Sequence, residues 1–131
     1  MSTKYDVFIE PFAKRYYIKI FAKKYKKAWD FTLNVLTEEF KKFDILLLKT
    51  IAEEITDKNK DIVICKTEFK ISGTEESRHT SGNRCIVARH TKLNKINVLL
   101  IYHKNDLGMG NETTNWKKII KENYPEYEHL L

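Results

Sequence analysis

The sequence has no long apolar segment. No stretch approaches the run of about 18 apolar residues that a membrane-spanning helix needs, so no membrane partner is expected. The N-terminus also lacks the apolar core and the small-residue cleavage site of a secretory signal, which predicts a cytoplasmic protein. Only two cysteines are present, Cys65 and Cys85, and both lie among apolar residues of strand-like segments. In the cytoplasm this context favours reduced core residues over a disulfide.

Several cofactor-binding and catalytic patterns are absent as well. The cysteines and the four histidines show no paired spacing of the kind that zinc ligands have, so no metal site is predicted. The four glycines form no phosphate-binding loop, and no serine lies in a nucleophile elbow. We therefore expect no cofactor. There is no internal repeat or low-complexity tract, and a length of 131 residues fits a single domain spanning residues 1–131.

What the sequence does have is an uneven distribution of positive charge. The formal net charge is +6, and the isoelectric point is near 9.2. Residues 1–27 alone account for this charge, since they carry eight basic side chains and only two acidic ones. Two interpretations stay open: these lysines form the solvated face of an amphipathic helix, or they form a surface for phosphate groups or an acidic partner.

Residue periodicity predicts a mixed architecture. The predicted elements are a strand at Tyr5–Ile9, a helix starting near Pro11, a helical segment ending at about Lys42, a short and largely buried helix at Ile45–Ile55, strands at Ile62–Ile71, Arg84–His90 and Ile96–His103, and a final helix at Thr113–Glu122. The central apolar run of the last strand indicates that both of its faces are covered. The fold class is therefore α+β, with a small antiparallel sheet and an N-terminal helical hairpin packed on it.

This order of elements, together with four local segments, resembles the RelE/ParE-like superfamily of bacterial toxins. Phe12–Tyr25 looks like the first helix of that family, and Lys70–Gly73 resembles its strand-to-turn segment. Ser81–Val87 resembles its strand with a glycine followed by an arginine, and Leu99–Lys104 resembles its last strand, which ends in a cation. The chain differs from many nuclease members in having His103 and Lys104 where they carry a Lys-Arg pair.

The resemblance implies a toxin that a co-produced antitoxin holds inactive. One branch of the family cleaves messenger RNA in the ribosomal A site, which would make the cognate antitoxin, the ribosome and messenger RNA the partners of this chain. Another branch inhibits DNA gyrase. The sequence therefore favours a ribosome-dependent endoribonuclease, and two alternatives stay open: a toxin of the same fold that is not a nuclease, and a basic module that binds RNA or protein.

RNA cleavage without a metal needs a base for the 2′-hydroxyl, an acid for the leaving 5′-oxygen, and cations around the phosphate. Arginine binds two phosphate oxygens at once, so Arg84 is the first candidate for the phosphate, followed by Arg78 and Lys104. Histidine titrates near neutral pH, so His79 and His103 are the candidates for acid and base.

Other cations could extend the surface toward RNA. His90 shares a strand face with Arg84 and is a reserve candidate for catalysis. The side chains predicted to bind nucleic acid are Lys66, Lys70, Arg89, His90, Lys19, Lys23 and Lys26.

Overall fold

The structure is a computed structural model that describes residues 4–131, apart from the side chain of Tyr17. In chain order the elements are β1 (Asp6–Ile9), α1 (Pro11–Ala13), a π-helical segment (Lys14–Ile18), α2 (Lys19–Tyr25), α3 (Lys27–Lys41), α4 (Phe43–Leu48), β2 (Ala52–Glu54), β3 (Ile62–Phe69), β4 (Asn83–His90), β5 (Lys95–His103), a 3₁₀ turn (Lys104–Asp106), α5 (Glu112–Asn123) and a 3₁₀ segment (Pro125–Leu130). The α+β class is confirmed.

Local sequence signals set the helix ends. Pro11 occupies the first helical position, where its missing N–H costs nothing, and the predicted helix start is confirmed. Lys26 has a φ of 53°, and this left-handed backbone separates α2 from α3. At α5, the side-chain oxygen of Asn111 accepts a hydrogen bond from the backbone N–H of Thr114 at 3.0 Å, which satisfies one of the free donors at the helix start.

The five strands form one sheet in the order β1-β5-β4-β3-β2. The strands β2, β3, β4 and β5 pair in antiparallel fashion, whereas β1 pairs with β5 in parallel. The prediction of an antiparallel sheet was therefore wrong for β1. The helices α1–α4 carry the chain from one edge of the sheet to the other, so β1 never forms a hairpin and is free to run parallel to β5.

The predicted helix at Ile45–Ile55 is only half right. Helix α4 ends at Leu48, and Thr50 then adopts a φ of 58°. The chain continues as β2, in which Ala52 lies opposite Thr67 of β3. The expected burial of the segment also fails at Leu48, whose side chain is 84% exposed. Isoleucines and leucines at this spacing fit either element, and the pairing with β3, which comes later in the chain, decides the outcome.

Both faces of the sheet are covered, as predicted for β5. On one face, α2 and α3 pack Phe21, Trp29 and Phe40 against the sheet, and α4 adds Phe43. On the other, α5 packs Trp116 and Ile120 against it. We call these the α3 face and the α5 face. None of the helices within residues 4–131 is long and apolar enough to cross a membrane.

The two cysteines lie on neighbouring strands and are free and fully buried. Burial raises the pKa of the Cys65 thiol to about 12, and it raises the pKa of Cys85 further. The thiolate is the reactive form of cysteine, so both thiols are inert in the folded protein.

We expect neither cysteine to react with iodoacetamide at pH 8 under native conditions, and both to react in denaturant. Mass spectrometry of the alkylated protein measures this directly. Rapid native labelling of either residue would show that this part of the sheet is open to solvent.

Candidate functional site

A charged cluster lies on the α5 face where β3 ends and β4 begins. Arg84 lies opposite Glu68 of β3 and opposite Tyr102 of β5 in the strand register. The N-terminus of α5 brings Glu112 over the same position, and Lys66 lies two residues before Glu68 on the same face. Three strands and one helix thus place five polar side chains together.

Arg84 is an internal residue of this cluster. It is only 4% exposed, and its guanidinium donates hydrogen bonds to the carbonyl oxygens of Asn83, at 3.1 Å, and His79, at 3.2 Å. Its Nε lies 3.8 Å from a carboxylate oxygen of Glu68 and 3.9 Å from one of Glu112. The predicted phosphate ligand is therefore turned toward the chain itself, where it supports residues 79–83 and is neutralised by two carboxylates.

Glu112 joins the cluster to the sheet. It accepts a hydrogen bond from the Tyr102 hydroxyl at 2.8 Å, and the Lys66 ammonium lies 3.1 Å away. Burial alone would raise the pKa of Glu112, but the hydrogen bonds from Tyr102 and Lys66 and the nearby charges hold it below its ordinary value. Burial, followed by the contact with Glu112, raises the pKa of Tyr102. Neither residue was predicted as a site residue, because nothing in the sequence shows that α5 begins over β4.

An open cleft of about 800 Å³ lies beside this cluster, at the end of the short strand β2. We call it the β2 cleft. Its lining residues are Thr50, Ile51, Ala52, Glu53, Lys66, Glu68, Ser77, Arg78 and His79. His79 is 82% exposed, and its Nδ1 lies 3.1 Å from both carboxylate oxygens of Glu68. The second nitrogen of the ring is therefore left for a ligand.

Arg78 forms one wall of the β2 cleft. Its guanidinium binds the carboxylate of Glu39 on α3, with N–O distances of 2.6 and 3.3 Å. This pair fastens the loop that carries His79 to the helical layer. Like Arg84, Arg78 is engaged with a carboxylate of the protein.

His103 lies on the other face of the sheet. It follows Tyr102 in β5, so its side chain points toward α2, and the two predicted acid–base histidines do not come together. A smaller cleft of about 220 Å³, here called the α2 cleft, is lined by Ile20, Phe21, Lys24, Tyr25, Asn83, His103, Asn105 and Asp106. Lys104, which follows His103, is exposed at the start of the 3₁₀ turn.

Gly82 lies between the two clefts and shapes the smaller one. Its φ is 79°, and a Cβ there would lie 2.6 Å from Nε2 of His103. The His103 ring is held in place because its Nδ1 accepts a hydrogen bond from the backbone N–H of Asn105 at 3.1 Å. A glycine is thus required both by the backbone conformation and by the imidazole packed on it.

The other predicted nucleic-acid ligands lie apart from both clefts. Arg89 contacts Glu54 at 3.3 Å. His90 does share the α5 face with Arg84, but it lies about 20 Å away along the strand and its Nε2 lies 2.9 Å from the hydroxyl of Tyr127. Burial, with a smaller effect of Lys95, lowers the pKa of His90. Lys70 is exposed just beyond the end of β3.

The basic residues between β1 and the first turn of α3 form a surface of their own, which we call the basic helical surface. Its members are Lys14, Arg15, Lys19, Lys23, Lys24, Lys26 and Lys27. All are exposed, and within residues 4–131 none of them forms an ion pair. The predicted ligands Lys19, Lys23 and Lys26 are therefore open to a polyanion.

We expect Gly82→Ala to destabilise the protein more than Gly73→Ala does. Both glycines have a positive φ, which costs alanine about 1–2 kcal/mol. A Cβ at Gly73, however, meets nothing within 4 Å. At Gly82 the His103 ring must also move and lose its hydrogen bond from Asn105, at a further cost of about 1 kcal/mol. Urea unfolding of both variants measures the difference, and equal midpoints would contradict this packing.

We expect Glu112→Gln to lower the free energy of unfolding by about 1–2 kcal/mol at pH 7, because Lys66 and the buried Arg84 lose a charged partner that is itself partly exposed. The folded-state pKa of Glu112 is lowered, so its contribution is present above the ordinary pKa of glutamate and is lost as the pH falls through the folded-state value. The difference between wild type and variant should therefore shrink below about pH 4.

Thermal unfolding of wild type and Glu112→Gln between pH 3 and pH 7 measures this effect. Glu75→Gln is the matched control, since Glu75 is exposed and forms no ion pair in the described part of the chain. A Glu112→Gln effect that is independent of pH would mean that the residue acts through packing alone.

The geometry thus divides the predicted site between two faces of the sheet. His79, Arg78, Lys66 and the buried Arg84 lie in or beside the β2 cleft, together with Glu68. His103 lies in the α2 cleft with groups from α2. No protein-family model matches this chain, and the comparisons with curated proteins and with solved structures found no match either.

Proposed function

We propose that this chain is a toxin of the RelE/ParE-like type that cleaves messenger RNA on the ribosome without a metal ion, using His79 and Glu68 in the β2 cleft. The observation that carries the proposal is the contact between Glu68 and Nδ1 of an exposed histidine in an open cleft that also contains a lysine. A carboxylate at one ring nitrogen holds the imidazole in a fixed orientation and tautomer, as in known general-base pairs.

The proposed step is attack by the RNA 2′-oxygen on the adjacent phosphorus. Nε2 of His79 takes the proton of the 2′-hydroxyl, while Glu68 accepts a hydrogen bond from Nδ1–H. The bond between O2′ and phosphorus forms, the bond between phosphorus and O5′ breaks, and the leaving oxygen takes a proton from water. The products are a 2′,3′-cyclic phosphate and a 5′-hydroxyl. Lys66 supplies positive charge near the phosphate.

Arg84 has a positioning role in this proposal. Its hydrogen bond to the carbonyl of His79 and its proximity to Glu68 hold the two members of the pair in place. The guanidinium is buried and therefore orients His79 and Glu68 without contacting the RNA itself.

The order of the elements supports the resemblance to the toxin superfamily. A first strand is followed by helices, then by an antiparallel run of β3, β4 and β5, and then by a closing helix. The additional strand β2 forms the rim of the β2 cleft. The basic helical surface would provide the electrostatic attraction to ribosomal RNA, since unpaired cations are available there for phosphate contacts.

A second candidate function is a toxin that binds a protein target such as gyrase. It is favoured by a groove of about 600 Å³ between α3 and α4, beside which Phe31 is 63% exposed and Val35 41% exposed. Exposed apolar residues that line a groove are typical of protein contacts. The same groove would suit an apolar helix of the antitoxin that the resemblance implies.

We expect His79→Gln to reduce RNA cleavage by about 100-fold or more, because general base catalysis contributes at least that factor. The measurement is the mapping of new RNA 5′ ends after brief induction in a bacterial host, with cell growth recorded in parallel. His129→Gln is the matched control, since His129 is also exposed but belongs to the 3₁₀ segment that ends at Leu130.

The proposal requires new 5′ ends with wild type and His129→Gln and their loss with His79→Gln. Growth arrest by wild type without new RNA ends would overturn the nuclease and favour the protein-binding toxin. Undiminished cleavage by His79→Gln would exclude His79 as the base.

A further inference from the structure

Three aromatic rings form a stack that runs from the core to the surface. The rings of Trp29 and Phe21 have centroids 4.8 Å apart and planes inclined by 22°. Phe21 and Tyr25 follow at 6.3 Å and 23°. Trp29 and Phe21 are buried, whereas Tyr25 is only half-buried. The outermost ring of the stack therefore reaches the surface, where a further planar group could extend it.

The stack ends in the α2 cleft, which has room for a small planar group. Tyr25, Phe21 and Ile20 form its aromatic and apolar side, while Asn83 and His103 come from the sheet. One side of the cleft suits the face of a ring, and the other presents groups that can hydrogen-bond to its edge.

The polar side of the α2 cleft has unused hydrogen-bonding capacity. Asn83 is only 2% exposed, and its side-chain oxygen has no hydrogen-bond partner within residues 4–131. Buried polar atoms nearly always have a partner, so an unpaired one in the wall of a cleft points to a ligand. In neutral His103, Nδ1 accepts from Asn105, so the proton is on Nε2 and the ring offers a donor.

Cations lie beside this cleft. The ammonium of Lys24 is 5.2 Å from the centre of the Tyr25 ring, and the flexible lysine side chain can reach a phosphate next to a stacked base. Lys23, Lys26 and Lys27 are neighbours of Lys24 in the chain and form no ion pair within the described residues. Asp106, which also lines the cleft, disfavours a carboxylate ligand inside it.

We infer that the α2 cleft is a subsite for one nucleobase of single-stranded RNA. The base stacks on Tyr25, its edge faces the amide of Asn83 and Nε2 of His103, and the adjoining phosphate lies near Lys24. An aromatic platform, an amide and a cation together are the usual means of reading an unpaired base. This inference rests on the proposed function in so far as it takes RNA as the ligand, and it gives His103 a binding role in place of a catalytic one.

The position of the subsite relates it to the β2 cleft. His79 and Asn83 are four residues apart, so their Cα atoms can be no more than about 14 Å apart. The turn at Gly82 separates the two clefts, and a strand with one base in the α2 cleft can pass over this turn toward His79. The subsite would therefore set a base preference a few nucleotides from the cleaved bond.

The test measures binding in a His79→Gln background, which prevents cleavage. The probes are fluorescein-labelled six-nucleotide oligoribonucleotides of adenine or uracil, either intact or with one abasic position, and affinity is measured by fluorescence anisotropy. We expect Tyr25→Leu to weaken binding of the intact probe about tenfold, since stacking of one base contributes roughly this factor. For the probe whose abasic position occupies the subsite, the protein with Tyr25 and the Tyr25→Leu variant should have equal affinities.

Phe8→Leu is the matched control. Phe8 is 45% exposed and has the ammonium of Lys95 at 5.2 Å from its ring centre, but it lies on β1 outside the cleft. Its replacement should leave affinity unchanged. Tyr25→Leu is checked by thermal unfolding, and Tyr25→Phe, which keeps the ring, should retain affinity within about twofold.

A second measurement needs no substitution in the cleft. An oligoribonucleotide carrying 4-thiouridine, cross-linked by ultraviolet light and analysed by mass spectrometry, should label Tyr25 or His103. Equal weakening by Tyr25→Leu and Phe8→Leu, or cross-links only to other residues, would overturn the subsite. If the protein cleaves RNA but Tyr25→Leu leaves the affinity for the intact probe unchanged, the subsite is refuted and the nuclease is not. If the protein with His79 intact binds the probes in a base-dependent way but does not cleave RNA, the nuclease is refuted and the subsite is not.

Discussion

The site depends on the neutralisation of one buried guanidinium. Arg84 has almost no access to water, and a charge in that position is tolerated only when it is paired and hydrogen-bonded. Glu68 from β3 and Glu112 from α5 supply the charge, while two backbone carbonyls accept hydrogen bonds. One side chain thereby joins the sheet, the closing helix and the loop that carries His79. The removal of any partner affects all three.

The protein also keeps two kinds of positive charge separate. Three cations of β3 and β4 are paired with carboxylates: Lys66 with Glu112, Arg84 with Glu68 and Glu112, and Arg89 with Glu54. Cations of the basic helical surface have no such partners in the described chain. Paired charges hold groups in fixed positions, whereas unpaired ones attract a polyanion over a distance of about the Debye length. Attraction and positioning are thus assigned to different parts of the fold.

Sequence periodicity predicted the elements that are determined locally. The helix start at Pro11 and the strands β3, β4 and β5 follow from a proline and from alternation within short windows. The strand β2 and the parallel pairing of β1 were missed, because each depends on a partner that lies far along the chain. The RelE/ParE-like assignment stays a prediction.

The candidate site was predicted only in part, for the same reason. His79 and Arg84 were identified by chemical type, but their surroundings come from other elements. Glu68 and Tyr102 were not among the predicted site residues. The sequence does not show that α5 places Glu112 between them, and this contact decides that Arg84 faces inward. The alternation of side chains along β5 did contain one usable signal. Tyr102 and His103 are consecutive strand residues and therefore had to lie on opposite faces of the sheet.

The shortness of β2 has a consequence for the shape of the site. The strand contains three residues and begins opposite Thr67, so the last two residues of β3 have no neighbour on that side. The β2 cleft occupies the place where a longer edge strand would continue. The hydroxyl of Ser81 donates a hydrogen bond to the carbonyl oxygen of Phe69, the last residue of β3, at 2.6 Å. The opening is therefore an interruption of the sheet, formed by main chain. Because main chain sets the outline of the cleft, substitutions of its lining side chains can change its charge and chemistry without changing its shape. Related chains could therefore acquire different specificities at this site with the same backbone.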